Sequence, residues 1–113
     1  MPRVLGYALR MKIPEQPTSC ELCRRDMTAL TKHHAIPRAL HSNKRVRKQF
    51  TKEVCITTIM WLCRPCHNTI HKVLTEKQMA ADFYTVDALL SQSKIHEFVL
   101  WIKDKPETFK PKF

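Results

Sequence analysis

Two Cys-x-x-Cys pairs set the strongest constraint on this chain: Cys20-Glu21-Leu22-Cys23 and Cys63-Arg64-Pro65-Cys66. Such a turn lets two thiolates reach one ion while backbone N–H groups bond the sulfurs, so two pairs make a closed tetrahedral site. To share an ion the pairs must meet, and residues 24–62 must fold as a closed excursion between them. The count is five, and Cys55 is left over for packing. A disulfide framework favours even, dispersed cysteines, and a redox Cys-x-x-Cys opens a helix after a strand in a βαβ unit; neither pattern is present. The expectation is a structural Zn2+ held by Cys20, Cys23, Cys63 and Cys66 in a reducing, intracellular compartment, cytoplasmic or nucleoid/nuclear.

The second pair runs straight into histidines. Cys66-His67-Asn68-Thr69-Ile70-His71 places His67 and His71 one helical turn apart on one face, where two imidazoles converge on one ion. A core-facing helix would put apolar residues at both positions. Upstream, His33-His34 ends a segment, Leu30 to His34, that fits a short strand stopped by Pro37. Adjacent strand residues point to opposite faces, so one histidine can bind a metal while its neighbour faces elsewhere.

Charge suggests a partner. Lys and Arg number 20 against 10 acidic residues, a net charge of +10, which favours a polyanion such as nucleic acid. The densest basic run lies inside the excursion, with Ser42 or Asn43 as N-cap of a short helix carrying Lys44, Arg45, Arg47 and Lys48. Val46 and Phe50 would anchor it. Phosphate contact is the functional reading and a solvated basic face the plain one. A single glycine argues against a phosphate-binding loop.

At 113 residues the chain reads as one domain, in which an internal metal would help offset limited burial. Residues 1–19 form an arm with Val4–Leu9 as a short strand. Arg3, Arg10 and Lys12 leave an organelle-targeting segment open, but no signal peptide or membrane span is expected. Residues 20–74 form the core. Val54 to Leu62, rich in β-branched residues, reads as a strand running into Cys63, with Cys55 on it. Pro65 suits the first turn of the following helix. Residues 75–103 are helical: Thr75-Glu76-Lys77-Gln78 is a capping box for a helix over 75–83, another starts near Thr85, and residues 94–103 turn Ile95, Phe98, Val99 and Ile102 inward. Residues 104–113 read as a basic tail leaving the globule.

In order and spacing, CELC, LTKHHAIPR and WLCRPCHNTIH together resemble the HNH endonuclease family, in the variety with two Cys-x-x-Cys pairs. The resemblance covers residues 20 to about 74. It implies an α+β fold: a small ββα-metal finger core clamped by the four-cysteine zinc, followed by C-terminal helices. It further implies that His33 is a metal ligand, His34 the general base, and His67 and His71 the remaining ligands. The family's middle asparagine, which orients the base, corresponds to Thr58 here, with His41 or Asn43 as substitutes.

The activity so implied is metal-dependent hydrolysis of DNA phosphodiesters, with RNA left open, leaving 5′ phosphate and 3′ hydroxyl ends. The catalytic ion is commonly Mg2+, although three imidazoles also accept Mn2+, Ni2+ or Zn2+. Arg38 and the basic run would hold backbone phosphates. The alternative is a non-catalytic, zinc-stabilised nucleic-acid-binding module, which explains the cysteines and the charge but not four histidines. Oligomeric state and sequence preference have no signature here.

Overall fold

The computed structural model describes residues 13–112. The strand expected at Val4–Leu9 and the basic residues Arg3, Arg10 and Lys12 lie outside them.

The fold is α+β. Among the described residues two strands, β1 (Thr31–His34) and β2 (Ile59–Leu62), pair antiparallel with His33 opposite Met60 and His34 opposite Ile59. Between them come a 3-10 turn (Arg38–Leu40), α1 (Lys44–Gln49) and α2 (Lys52–Thr57). After β2 follow α3 (Arg64–Val73), α4 (Glu76–Asp82), α5 (Val86–Ser91) and α6 (Ser93–Ile102).

Most helices begin on a side chain that accepts a free N–H of the first turn. Asn43 serves α1 and Thr51 serves α2. Thr75 and Gln78 form the reciprocal capping box of α4, while Thr85 and Gln92 serve α5 and α6. The exception is α3, whose N-cap is Cys63: it makes no side-chain capping bond, and a proline occupies the first turn. Its sulfur is turned to the other cysteines instead.

The strand expected from Val54 to Leu62 needs correction. Residues 54–62 are not a single strand: α2 runs to Thr57, and only Ile59–Leu62 is extended. The threonines that raised the strand propensity bond backwards within the helix, Thr57 Oγ1 to the Glu53 carbonyl at 2.8 Å and Thr58 Oγ1 to the Val54 carbonyl at 2.6 Å. This i−4 bonding lets a β-branched run sit in a helix once Thr51 caps it. Cys55 is thus on a helix, but it is fully buried as a packing residue.

The main core gathers Leu62, Ile70, Leu74, Met79, Leu89, Ile95, Val99 and Ile102 around the cysteines, so α3 is packed between the sheet and α6. A smaller cluster of Ile36, Val46, Cys55 and Ala80, with Phe50 and Tyr84 packed on it, fastens α1 and α2 to α4. The ring centroids of Phe50 and Tyr84 are 5.1 Å apart, edge to face.

Residues 104–112 do not leave the globule as expected. Phe109 packs on the main core, its ring 5.4 Å from Trp101, and the Glu107 carboxylate accepts from the N–H and hydroxyl of Thr28. No helix among the described residues is long and apolar enough to cross a membrane.

Candidate metal centres

The first centre is built by two turns of unlike kind. The Cys20–Cys23 knuckle closes with Arg24 N–H on the Cys20 carbonyl at 2.9 Å, and Arg24 takes a left-handed φ of 68°. It is tied to the sheet through residue 61: Glu21 N–H donates to the Trp61 carbonyl at 3.0 Å, and Trp61 N–H donates to the Glu21 carboxylate at 2.7 Å. Cys63 and Cys66 come from the first turn of α3. All four cysteines are buried and their sulfurs lie within 4.8 Å of one another. The sulfurs of Cys23 and Cys63 are 3.8 Å apart.

This is a set of four thiolate donors able to hold a metal ion. The N–H groups of Leu22 and Cys23 both point at Cys20 Sγ, at 3.4 Å. Arg25, itself buried, donates Nε–H to Cys23 Sγ at 3.4 Å and a terminal N–H to Cys63 Sγ at 3.3 Å. Its other terminal nitrogen donates to the Pro106 carbonyl at 2.9 Å. Four thiols this close compete for negative charge. Through Cys20 first, and then Cys63, Cys23 is drawn far below the ordinary thiol range. Cys66 is driven far above it, again through Cys20 first and then Cys23. A cation at the centre, facing every sulfur, relieves that competition.

The second centre comprises His33 of β1 with His67 and His71 of α3, whose ring nitrogens also lie within 4.8 Å of one another. Ring centroids are 5.0 Å apart for His33–His67 and His67–His71, and 5.5 Å for His33–His71. His33 is fully buried, and among the described residues neither of its ring nitrogens has a hydrogen-bond partner. An imidazole in that state is costly unless a ligand completes it. Burial, and then the charges of His67 and His71, pull His33 down to about 3; burial, and then His71, pulls His67 down to about 4. Both rings are therefore neutral at physiological pH, the form that binds metal. On His67 the free nitrogen is selected by Thr31, whose Oγ1 lies 2.7 Å from Nδ1.

The uncharacterized protein YisB of Bacillus subtilis (strain 168) is 32% identical over 87 residues, 77% of this chain and 75% of that one. The chain belongs to the YisB family. No family model matches it, and no solved structure does. The relative's name carries no activity, so the chemistry rests on the residues themselves.

Of the other expected site residues, His34 is half-buried beside the cluster. Burial first, then the charges of Arg38, His41 and Lys32, lower its pKa. Thr58, expected to orient the base, stands at the C-cap of α2. Its hydroxyl donates to the Val54 carbonyl, and its own carbonyl accepts from Ala35 N–H at 3.1 Å. The side-chain oxygen of Asn43 is committed to the cap of α1. The ring centroid of His41 is 6.2 Å from that of His34, and its Nε2–H donates to the Ile36 carbonyl at 2.7 Å. Arg38, Lys44, Arg45, Arg47 and Lys48 are all exposed on the 3-10 turn and α1.

Arg25 and Thr31 were missed from sequence. The available signals were slight: a basic residue two places after Cys23, and a hydroxyl two places before His33 on the same strand face.

Proposed function

We propose that this protein is a metal-dependent endonuclease of the HNH kind, hydrolysing phosphodiester bonds of DNA. The observation that carries the reading is His33, buried with both ring nitrogens unpartnered, facing two further imidazoles, with half-buried His34 next to it on β1. A merely structural cluster gives no reason to bury an unsatisfied imidazole.

His33, His67 and His71 would hold a divalent cation, which when bound supplies Lewis-acid stabilisation of charge on the phosphate. Three imidazoles suit a borderline transition ion better than Mg2+, which prefers oxygen donors. In the four-cysteine centre Zn2+ is the ion of choice for a tetrahedral, closed thiolate set, and its role there is structural.

His34 acts as general base. Its lowered pKa leaves it neutral at pH 7, so it takes a proton from a water whose oxygen attacks phosphorus. The P–O3′ bond breaks, the 3′ oxygen gains a proton from solvent, and the products carry 5′ phosphate and 3′ hydroxyl. Arg38 and the exposed cations of α1 hold flanking phosphates and give binding its salt dependence.

A second reading, a zinc-stabilised module that binds nucleic acid without cutting it, draws support from Thr58, which stands where an amide side chain is expected and whose hydroxyl proton is donated to the Val54 carbonyl. Plasmid nicking separates the two. Wild type with Mn2+, Ni2+, Zn2+ or Mg2+ should convert supercoiled to open-circular DNA, and His34→Ala should lose at least about 100-fold of that rate. If wild type binds the plasmid but cuts under none of these ions, the binding module is the correct reading.

A further inference from the structure

A cavity of about 600 Å³ opens between α1 and α4, beside the turn that follows His34. Its apolar lining includes Leu40, Val46 and Ala81. Its charged lining is Lys44, Arg45 and Lys77, and no acidic residue borders it. The Asn43 side chain also borders it, but its carbonyl oxygen is occupied by the N–H groups of Arg45 and Val46, which leaves only the amide N–H2. Apart from the Gln49 amide, the polar side chains here can only donate.

We infer that this cavity takes one unpaired nucleotide of the strand whose neighbouring phosphodiester lies at the histidine centre. The inference rests on the nuclease reading and extends it. Three cations and no carboxylate select an anion, and donor-only chemistry selects phosphate oxygens. A lone phosphate would leave the apolar part empty, whereas a nucleotide places its base and sugar there. A duplex keeps its bases stacked and offers only backbone, so an apolar recess favours a strand whose base has swung out. Continuity fixes the strand. Leu40 lines the cavity and the next residue, His41, stands 6.2 Å from His34, so consecutive residues of one turn face the two sites. Lys77 brings α4 into the binding surface, outside the basic run of α1.

Two exposed positions of α4 test this, both in a His34→Ala background that stops cleavage. Ala81→Leu fills the recess without altering charge, and Lys77→Gln removes charge without filling it. Fluorescence anisotropy reads binding of a labelled 12-nucleotide single strand and of its blunt duplex, with circular dichroism melting confirming the fold. Ala81→Leu should weaken the single strand about 3- to 10-fold, with duplex binding and salt slope unchanged. Lys77→Gln should weaken it and lower the slope of log K against log salt by about 0.7. Single-strand binding equal to that of the parent in both variants overturns the cavity while leaving the nuclease reading intact. So does competition by poly-glutamate as strong as that by the oligonucleotide, since the recess would then be a generic anion surface. A parent protein that binds neither oligonucleotide overturns both readings together.

Discussion

Thr31 and His67 are joined by a hydrogen bond whose direction is determined. Thr31 Oγ1 donates its only proton to the Leu62 carbonyl at 2.7 Å, so at 2.7 Å from His67 Nδ1 it can only accept. Nδ1 therefore carries the proton, and Nε2 is the nitrogen of His67 left with a lone pair for a metal ion. This is the outer partner that metal-binding histidines generally need to fix tautomer and ring orientation.

Thr31→Val keeps the shape and removes the acceptor. Metal affinity at the histidine centre should fall about 10- to 100-fold, with thermal stability of the zinc-loaded protein little changed. Thr31→Ser should restore most of the loss. Isothermal titration with Mn2+ or Ni2+ measures this, and equal affinity in Thr31→Val would show that the hydroxyl does not set the tautomer.

Arg25 links the four-cysteine centre to the end of the chain, with one edge on Cys23 and Cys63 and a terminal nitrogen on the Pro106 carbonyl. Arg25→Met leaves thiolate charge unpaired inside the protein. It should cost about 2–4 kcal/mol and speed metal loss to a chelator. Arg25→Lys should not rescue it, because a single ammonium lacks the planar fork. Cleavage after Lys103 in limited trypsin digests should accelerate in both variants. An unchanged digest would mean that the other contacts of residues 104–112 hold the segment unaided.

These two residues mark where sequence reading stops. Asn43, Thr75 and the Cys and His spacings act within a few residues of themselves, so α1, α4 and the two ligand sets could be read directly. Thr31 and Arg25 act on partners 36 and 38 positions away, His67 and Cys63. Their significance exists only after β1, β2 and the knuckle have come together. The Val54–Thr58 run failed for the opposite reason. Its β-branched composition spoke for a strand, and a cap at Thr51 with two backward-bonded hydroxyls outweighed it. Residues 104–112 carry charge that reads as solvated, while the contacts that pin them are a carboxylate on Thr28 and carbonyls on Arg25.

Arg24 sits at φ 68°, a conformation costing a residue with a Cβ about 1 kcal/mol. Arg24→Gly removes that cost, against a smaller entropic loss from a freer unfolded chain. Stability should rise by about 0.5 kcal/mol in urea denaturation of the metal-loaded protein. A loss of stability would mean that the Arg24 side chain contributes more than its backbone strain costs.

His34, His33 and His67 all have lowered pKa values, with two separable consequences for pH. For catalysis, a base must be neutral, so a depressed His34 places the acid limb of the rate profile below the ordinary value of about 6.5, with a plateau by pH 7. For stability, His33 and His67 fall to about 3 and about 4 in the folded protein, while the unfolded chain protonates them near 6.5. Below about 6.5 the unfolded state binds more protons, so stability falls with decreasing pH. With the histidine centre free of metal, that dependence should approach two protons per chain between about pH 6 and pH 4. His33→Gln should remove one of them. Saturating Mn2+ should stabilise the folded state at pH 5 as well as at pH 7, because His33 and His67 are already neutral in the folded protein at both, and the gain should fade only as pH falls toward 4. Denaturant midpoints across pH, with and without Mn2+, measure both effects. A midpoint that rises as pH falls from 6.5 would contradict neutral, buried imidazoles, and with them the ligand roles of His33 and His67.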